Sequence, residues 1–217
     1  LKCLEKGVRL ITIFEDEWKH KPNQCKSILL SNLGKYNQKI YARNCQITNL
    51  NKIVFNQLCN QYHLQGSNNL GIVFYGLEFE NEIVAAMSLG RHHRNKNIIT
   101  LDRLFFKSNV QILGGASKLF KQCEKWAIEH NYKQIITWSD NRWSQGDIYE
   151  KLGFTLNENL PPDYSYVDIK KPYKRISKQS QKKSNTGCKD MTEKQWSLEN
   201  GLARIWDCGK KRWIKYI

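Results

Sequence analysis

No run of 18 apolar residues occurs in the 217-residue sequence, and no basic stretch followed by an apolar one opens it. These absences exclude a spanning helix and a secretory leader and predict a cytoplasmic protein with no membrane partner. Paired cysteines are missing too. Cys3, Cys25, Cys45, Cys59, Cys123, Cys188 and Cys208 are odd in number, and no two have the C-x-x-C spacing of a zinc or redox site, so free thiols and no metal are expected. Acids are absent from one long stretch: none lies between Asp168 and Asp190. The first residue is Leu1 rather than Met, which predicts a fragment of a longer protein.

What is present suffices for one core. Hydrophobic residues make up 40% of the chain, with seven Trp and ten Tyr, which predicts a globular domain with room for small appendages. The net charge of +15 is uneven, because residues 170–217 hold 14 Lys and Arg against 4 acids. Lys170, Lys171, Lys174, Arg175, Lys178, Lys182, Lys183 and Lys189 alternate with Ser, Gln, Pro and Tyr, which reads as an extended, loosely ordered tail. Its cations suit phosphates, and Tyr164, Tyr166, Tyr173, Trp196, Trp206 and Trp213 punctuate the same region, so DNA is the expected partner; a solvated linker is the plainer alternative.

Hydrophobic periodicity gives the order of elements. Residues 8–14 read as a strand, closed by Glu15, Asp16 and Glu17, and a helix follows near 22–33. A helix spans 51–63, with His63 at its exit. Strands at 71–77 and 82–90 form a hairpin about a short polar turn, and a third strand runs over 97–106. Strict alternation there sets Asp102 on the face of Thr100 and Leu104, with Arg103 on the other. After Gly114 and Gly115 the period turns helical through Ala116, Phe120, Cys123 and Ala127. A buried strand at 134–139, a short helix at 145–152 and a strand at 163–169 follow. The fold class is α/β (α+β), a mixed, mostly antiparallel sheet flanked by helices.

The junction Gln111-Ile112-Leu113-Gly114-Gly115-Ala116 joins a strand to a helix with small residues, where free N–H groups and the helix dipole suit a pyrophosphate; a tight turn explains the same glycines. Gln-x-x-Gly-x-Ala in this position resembles the pyrophosphate loop of GNAT N-acetyltransferases. Downstream, Tyr149-Glu150-Lys151-Leu152-Gly153-Phe154 is similar to that family's Tyr-x-x-x-Gly-Phe segment. The resemblance covers residues 40–170 and implies an acyl-CoA cofactor, acetyl-CoA or a relative, cradled by Gln111, Gly114, Gly115, Ala116 and Ser117. It implies Tyr149 as the acid that protonates the departing thiolate and Asp102 as the base that takes a proton from an amine. A packed tyrosine ring and an ion-paired surface carboxylate are the structural alternatives.

Residues 7–18, Gly-Val-Arg-Leu-Ile-Thr-Ile-Phe-Glu-Asp-Glu-Trp, resemble the closing strand of very-short-patch-repair-like endonucleases of phage and mobile elements. Their metal-binding acids lie upstream of this stretch, which implies that the nuclease active site is absent here. Tyr41 to Cys45, His63 to Gly66, Gly114 to Phe120 and Arg204 to Gly209 resemble C-terminal parts of phage homing-endonuclease-like proteins, and the acetyltransferase-like part resembles DNA-modifying enzymes of the Mom type. These likenesses imply a nuclease remnant over 1–35, an acetyltransferase-like domain over 36–169, a basic tail over 170–217, and an acyl-CoA-dependent transferase acting on DNA. A non-catalytic DNA-binding module and a small-molecule or protein N-acetyltransferase are the alternatives. Arg91, Arg94 and Arg142 join the tail cations as expected DNA contacts, with Arg91-His92-His93-Arg94 read as a phosphate-contacting loop rather than a metal site. For His63 and Asp140 a capping or hydrogen-bonded role is expected.

Overall fold

The computed structural model describes residues 2–188 and 190–217. It opens with three helices, α1 (Lys2–Glu5), α2 (Glu15–His20) and α3 (Pro22–Asn32). Residues 8–14 are extended but pair with no strand: Thr12 donates its N–H to the Arg142 carbonyl (3.4 Å), and Arg9 donates a guanidinium N–H to the Trp143 carbonyl (2.7 Å). β-Branched residues make a strand only where a sheet edge accepts them, and this stretch crosses the end of one instead. The expected acidic turn is the first turn of α2, where carboxylates complement the helix dipole.

Short strands β1 (Gln38–Tyr41) and β2 (Gln46–Asn49) lead into α4 (Lys52–Tyr62), capped by Asn51, whose side chain accepts the Val54 N–H (2.9 Å). β3 (Gly71–Phe79) and β4 (Glu82–Arg91) form the expected hairpin, turning at Glu80 and Asn81, both at positive φ as a two-residue turn of this hand requires. β5 (Ile98–Phe106), β6 (Val110–Leu113) and α5 (Gly115–Glu129) follow, then β7 (Gln134–Asp140), α6 (Asp147–Lys151) and β8 (Thr155–Leu160). Leu119, Phe120, Cys123 and Ala127 of α5 are buried against Tyr75, Leu77, Ala85, Met87 and Leu89 on one face of the sheet. Phe55 and Cys59 of α4 cover Ala86 and Phe105 on the other. The expected class is therefore observed, an α/β fold with a mixed, mostly antiparallel sheet between helices.

Residues 170–217 do not form a loose tail. β9 (Tyr164–Asp168), β10 (Lys171–Ile176) and β11 (Leu202–Trp206) make a separate antiparallel sheet, with α7 (Lys183–Thr186) and α8 (Glu193–Glu199) between the last two. β12 (Lys210–Tyr216) then returns to the main sheet and inserts between β7 and β8, giving the order β2-β3-β4-β5-β7-β12-β8. Trp213 of β12 is buried and donates its indole N–H to the Ser139 hydroxyl (2.9 Å). A Cβ at Gly146, itself at φ +93°, would run into that indole ring. Charge counting misreads this strand because its lysines serve the fold: Lys211 donates to the Gln145 carbonyl (3.0 Å), and Lys215 to the Leu152 carbonyl (2.8 Å) and to Glu124 (2.7 Å). Among the described residues no helix is long and apolar enough to cross a membrane.

Candidate functional site

The candidate site lies where β5 and β7 part. These neighbours run parallel and pair only over Ile98–Thr100 with Gln134–Ile136; beyond that, β5 keeps only β4 and β7 only β12. At the base of the fork the buried Thr137 hydroxyl donates to the Leu101 carbonyl (3.1 Å). Tyr149 reaches the same place from α6, its ring against Phe154 (5.9 Å between centroids) and Trp213 (6.0 Å). Burial raises its hydroxyl above the ordinary tyrosine value, while the Thr137 hydroxyl and the Arg103 charge pull the other way. The phenol therefore keeps its proton at neutral pH and is available to donate it.

The glycine loop faces the same end of the sheet. Gln111 sits half-buried in β6, paired with Lys39 of β1. Gly114, at φ +78°, turns the chain into α5. Gly115 lets the helix press on the strand behind it, since a Cβ there would meet Ile112 Cγ2 at 2.8 Å and Phe106 Cε1 at 3.2 Å. The first backbone bond of α5 is Lys118 N–H to the Gly114 carbonyl (3.0 Å), so among the described residues the amides of Gly115, Ala116 and Ser117 have no acceptor. Gly114 and Ser117 are exposed, Ala116 is half-buried and Gly115 is buried. Three unpaired amides at the positive end of a four-turn helix are of the kind that suits an anion.

Asp102 stands apart from its expected geometry. Arg103 pairs with Ser88 and Leu101 with Leu89, so Asp102 is an extra residue in a bulge, which breaks the alternation and brings it against its neighbour. Its carboxylate accepts from Asn68 (2.8 Å) and Arg103 (3.3 Å), and its side chain is only 7% exposed. Arg103 also donates through Nε to the Gly66 carbonyl (2.8 Å). His63, at the exit of α4, accepts the Gln65 N–H on Nδ1 (3.2 Å), and burial, aided by the charges of Arg103 and Lys21, pushes its pKa down to about 3. The imidazole is thus neutral, with Nε2 carrying the proton.

Several expected DNA contacts are committed elsewhere. Arg142 is 6% exposed, grips Asp140 (3.0 Å) and Glu17 (2.9 Å), and lies over the Phe14 ring. Arg175 holds Asp16 (2.6 Å) and lies over Phe14 as well. These pairs fasten the N-terminal segment to the sheet. Lys178 pairs with Asp163 (2.7 Å). Tyr166 and Trp213 are core residues rather than stacking platforms. Arg91 and Arg94 are exposed, as are Lys170, Lys171, Lys182 and Lys183, while Lys189 and the side chains of Lys174 and Tyr173 lie outside the described residues. His92 Nδ1 accepts the Arg94 N–H (3.3 Å) and so shapes its own loop, and no metal-binding group of His, Cys, Asp or Glu forms among the described residues. Thr137, Trp213 and the Arg103 pairing were not legible in the sequence: the first two need the register of β7 and β12, and the third needs the bulge.

The acetyltransferase (GNAT) family model matches residues 39–154, from β1 to the residue after Gly153. The chain belongs to the GNAT acetyltransferase family. Three solved GNAT-like structures are similar at low identity. An IAA acetyltransferase from Bacillus cereus is 14% identical (80% of this chain, 99% of that one, TM-score 0.47). A GNAT family acetyltransferase from Elizabethkingia anophelis with acetyl-CoA bound is 15% identical (80% and 99%, TM-score 0.46). A Bacillus subtilis acetyltransferase in complex with CoA is 16% identical (80% and 99%, TM-score 0.44). A search of curated proteins finds no match. The family match ends before β9, so the three-stranded sheet lies outside the GNAT region.

Proposed function

We propose that this GNAT protein transfers an acetyl group from acetyl-CoA to the nitrogen of a small-molecule amine. The observation that carries the reading is the fork between β5 and β7 together with the open amides of α5. Gly115, Ala116 and Ser117 would bind phosphate oxygens, with Gln111 and Gly114 shaping the approach. The parted strand edges would receive an extended pantetheine arm, whose amides need backbone partners. Acetyl-CoA supplies the activated acyl group as a thioester. Tyr149 holds its proton at the base of the fork, ready for the departing sulfur.

DNA as the acceptor keeps the overall charge and the exposed lysines as its support. Two of the expected DNA contacts, Arg142 and Arg175, are held by Asp140, Glu17 and Asp16, which weakens that reading relative to the small-molecule one. Calorimetric titration with acetyl-CoA tests the proposal. Wild type is expected to bind, and Gly114→Glu, which sets a carboxylate beside the open amides, to bind at least about tenfold more weakly. Absence of binding by the folded wild type overturns it.

A further inference from the structure

Beside the fork, β5 and the segment 63–70 bring together groups left with spare hydrogen-bonding capacity. Arg103 uses Nε and Nη1 within the protein, and Nη2 has no partner and stays open to solvent. Asp102 uses Oδ1 for Asn68 and Arg103, while Oδ2 is open. His63 points a neutral Nε2–H with no acceptor. Ser88, cross-strand from Arg103, keeps a fully buried hydroxyl without a partner. The charge of Arg103 bears on both His63 and Tyr149, which ties this cluster to the base of the fork.

This set is held in place rather than adaptable. Gly90 lets the 63–70 segment close over it, since a Cβ there would press on the Leu70 carbonyl (2.9 Å) and on Asp102 Cβ (3.4 Å). Arg91 donates its N–H to that same carbonyl (3.2 Å), and Lys21 donates to the Leu64 carbonyl (2.5 Å). The open groups are unequal in sign: a guanidinium edge and an imidazole N–H donate, and one carboxylate oxygen accepts. A plain amine would satisfy Asp102 and leave two donors facing nothing, one of them charged. A ligand with a carboxylate next to its nitrogen satisfies all three.

We propose that the acceptor is a free α-amino acid, its carboxylate held by Arg103 and His63 and its nitrogen by Asp102. The inference rests on the acetyl-transfer reading above. On this assignment Asp102 positions the nitrogen, and its pairing with Arg103 is part of the acceptor site. An N–C bond forms at the acyl carbon and the C–S bond breaks. The nitrogen's proton leaves to water, and the sulfur takes the Tyr149 proton, which water restores, so amine plus thioester gives amide plus thiol.

The test compares acetyl-CoA-dependent thiol release with each of the 20 common amino acids against the amine of the same side chain lacking the carboxylate. At least one amino acid should exceed its amine in kcat/KM by about 100-fold or more, because a site built to bind a carboxylate is left unpaired without it. Arg103→Gln should erase that preference mainly through KM, with the melting temperature reporting whether the variant folds. Equal or better turnover of the amines by wild type overturns the inference without any variant. So does acetyl-CoA binding without turnover of any amino acid, whereas failure to bind acetyl-CoA removes the acetyl-transfer reading itself.

Discussion

His63 shows how one buried side chain makes stability depend on pH. It is neutral in the fold down to about pH 3, whereas in the unfolded chain it takes a proton below about pH 6.5. The unfolded state therefore binds more protons between these values, and stability is lost as pH falls through that window, by up to about 1.4 kcal/mol per pH unit. Carboxylates such as Asp163, which the Lys178 hydrogen bond holds below the ordinary range, also lose stability in acid, so the informative quantity is a difference. In His63→Asn, where Oδ1 can still accept the Gln65 N–H, urea unfolding between pH 6.5 and 4.5 should show a shallower loss than wild type. Equal slopes would mean that His63 charges freely in the folded protein. Residue-level chemistry was partly legible beforehand: Gln111, Gly114 and Tyr149 stand in a recognisable spacing, but the fate of Asp102 depends on a bulge that no alternation pattern announces.

Among the elements, β12 decides whether the main sheet closes. It pairs along seven residues with β7 and also carries β8, so what charge alone marked as a tail is an interior strand. Gly146→Ala tests this packing, because the added methyl must displace the Trp213 ring and the backbone sits at φ +93°. A loss of about 2 to 4 kcal/mol in denaturant unfolding is expected from overpacking plus positive-φ strain; a loss under about 0.5 kcal/mol would show the indole free to move. The helices α4 and α5 and the strands β3 to β5 and β7 were readable because each buries one face or a continuous run, so that periodicity along its own sequence reports burial. Residues 8–14 and 210–216 were not, because whether a β-prone stretch finds an edge is settled by chain far away in sequence.

At the scale of the molecule, a GNAT domain carries two additions, an N-terminal helical segment and the β9–β11 sheet. Both are fixed to it by Phe14 lying beneath Arg142 and Arg175 and by the pairs these make with Glu17, Asp140 and Asp16. Two of the cations expected to contact nucleic acid, Arg142 and Arg175, thus hold these parts together, while Lys170, Lys171, Lys182 and Lys183 stay exposed, and the proposed chemistry belongs to the fork. The central claim is that Tyr149 acts there on a bound thioester. Tyr149→Phe keeps the ring against Phe154 and Trp213 and removes one hydroxyl. Single-turnover acetyl transfer, measured beside acetyl-CoA affinity, should fall by about 10² to 10⁴-fold with affinity unchanged, whereas a rate within about twofold of wild type would take Tyr149 out of the chemistry and contradict the account.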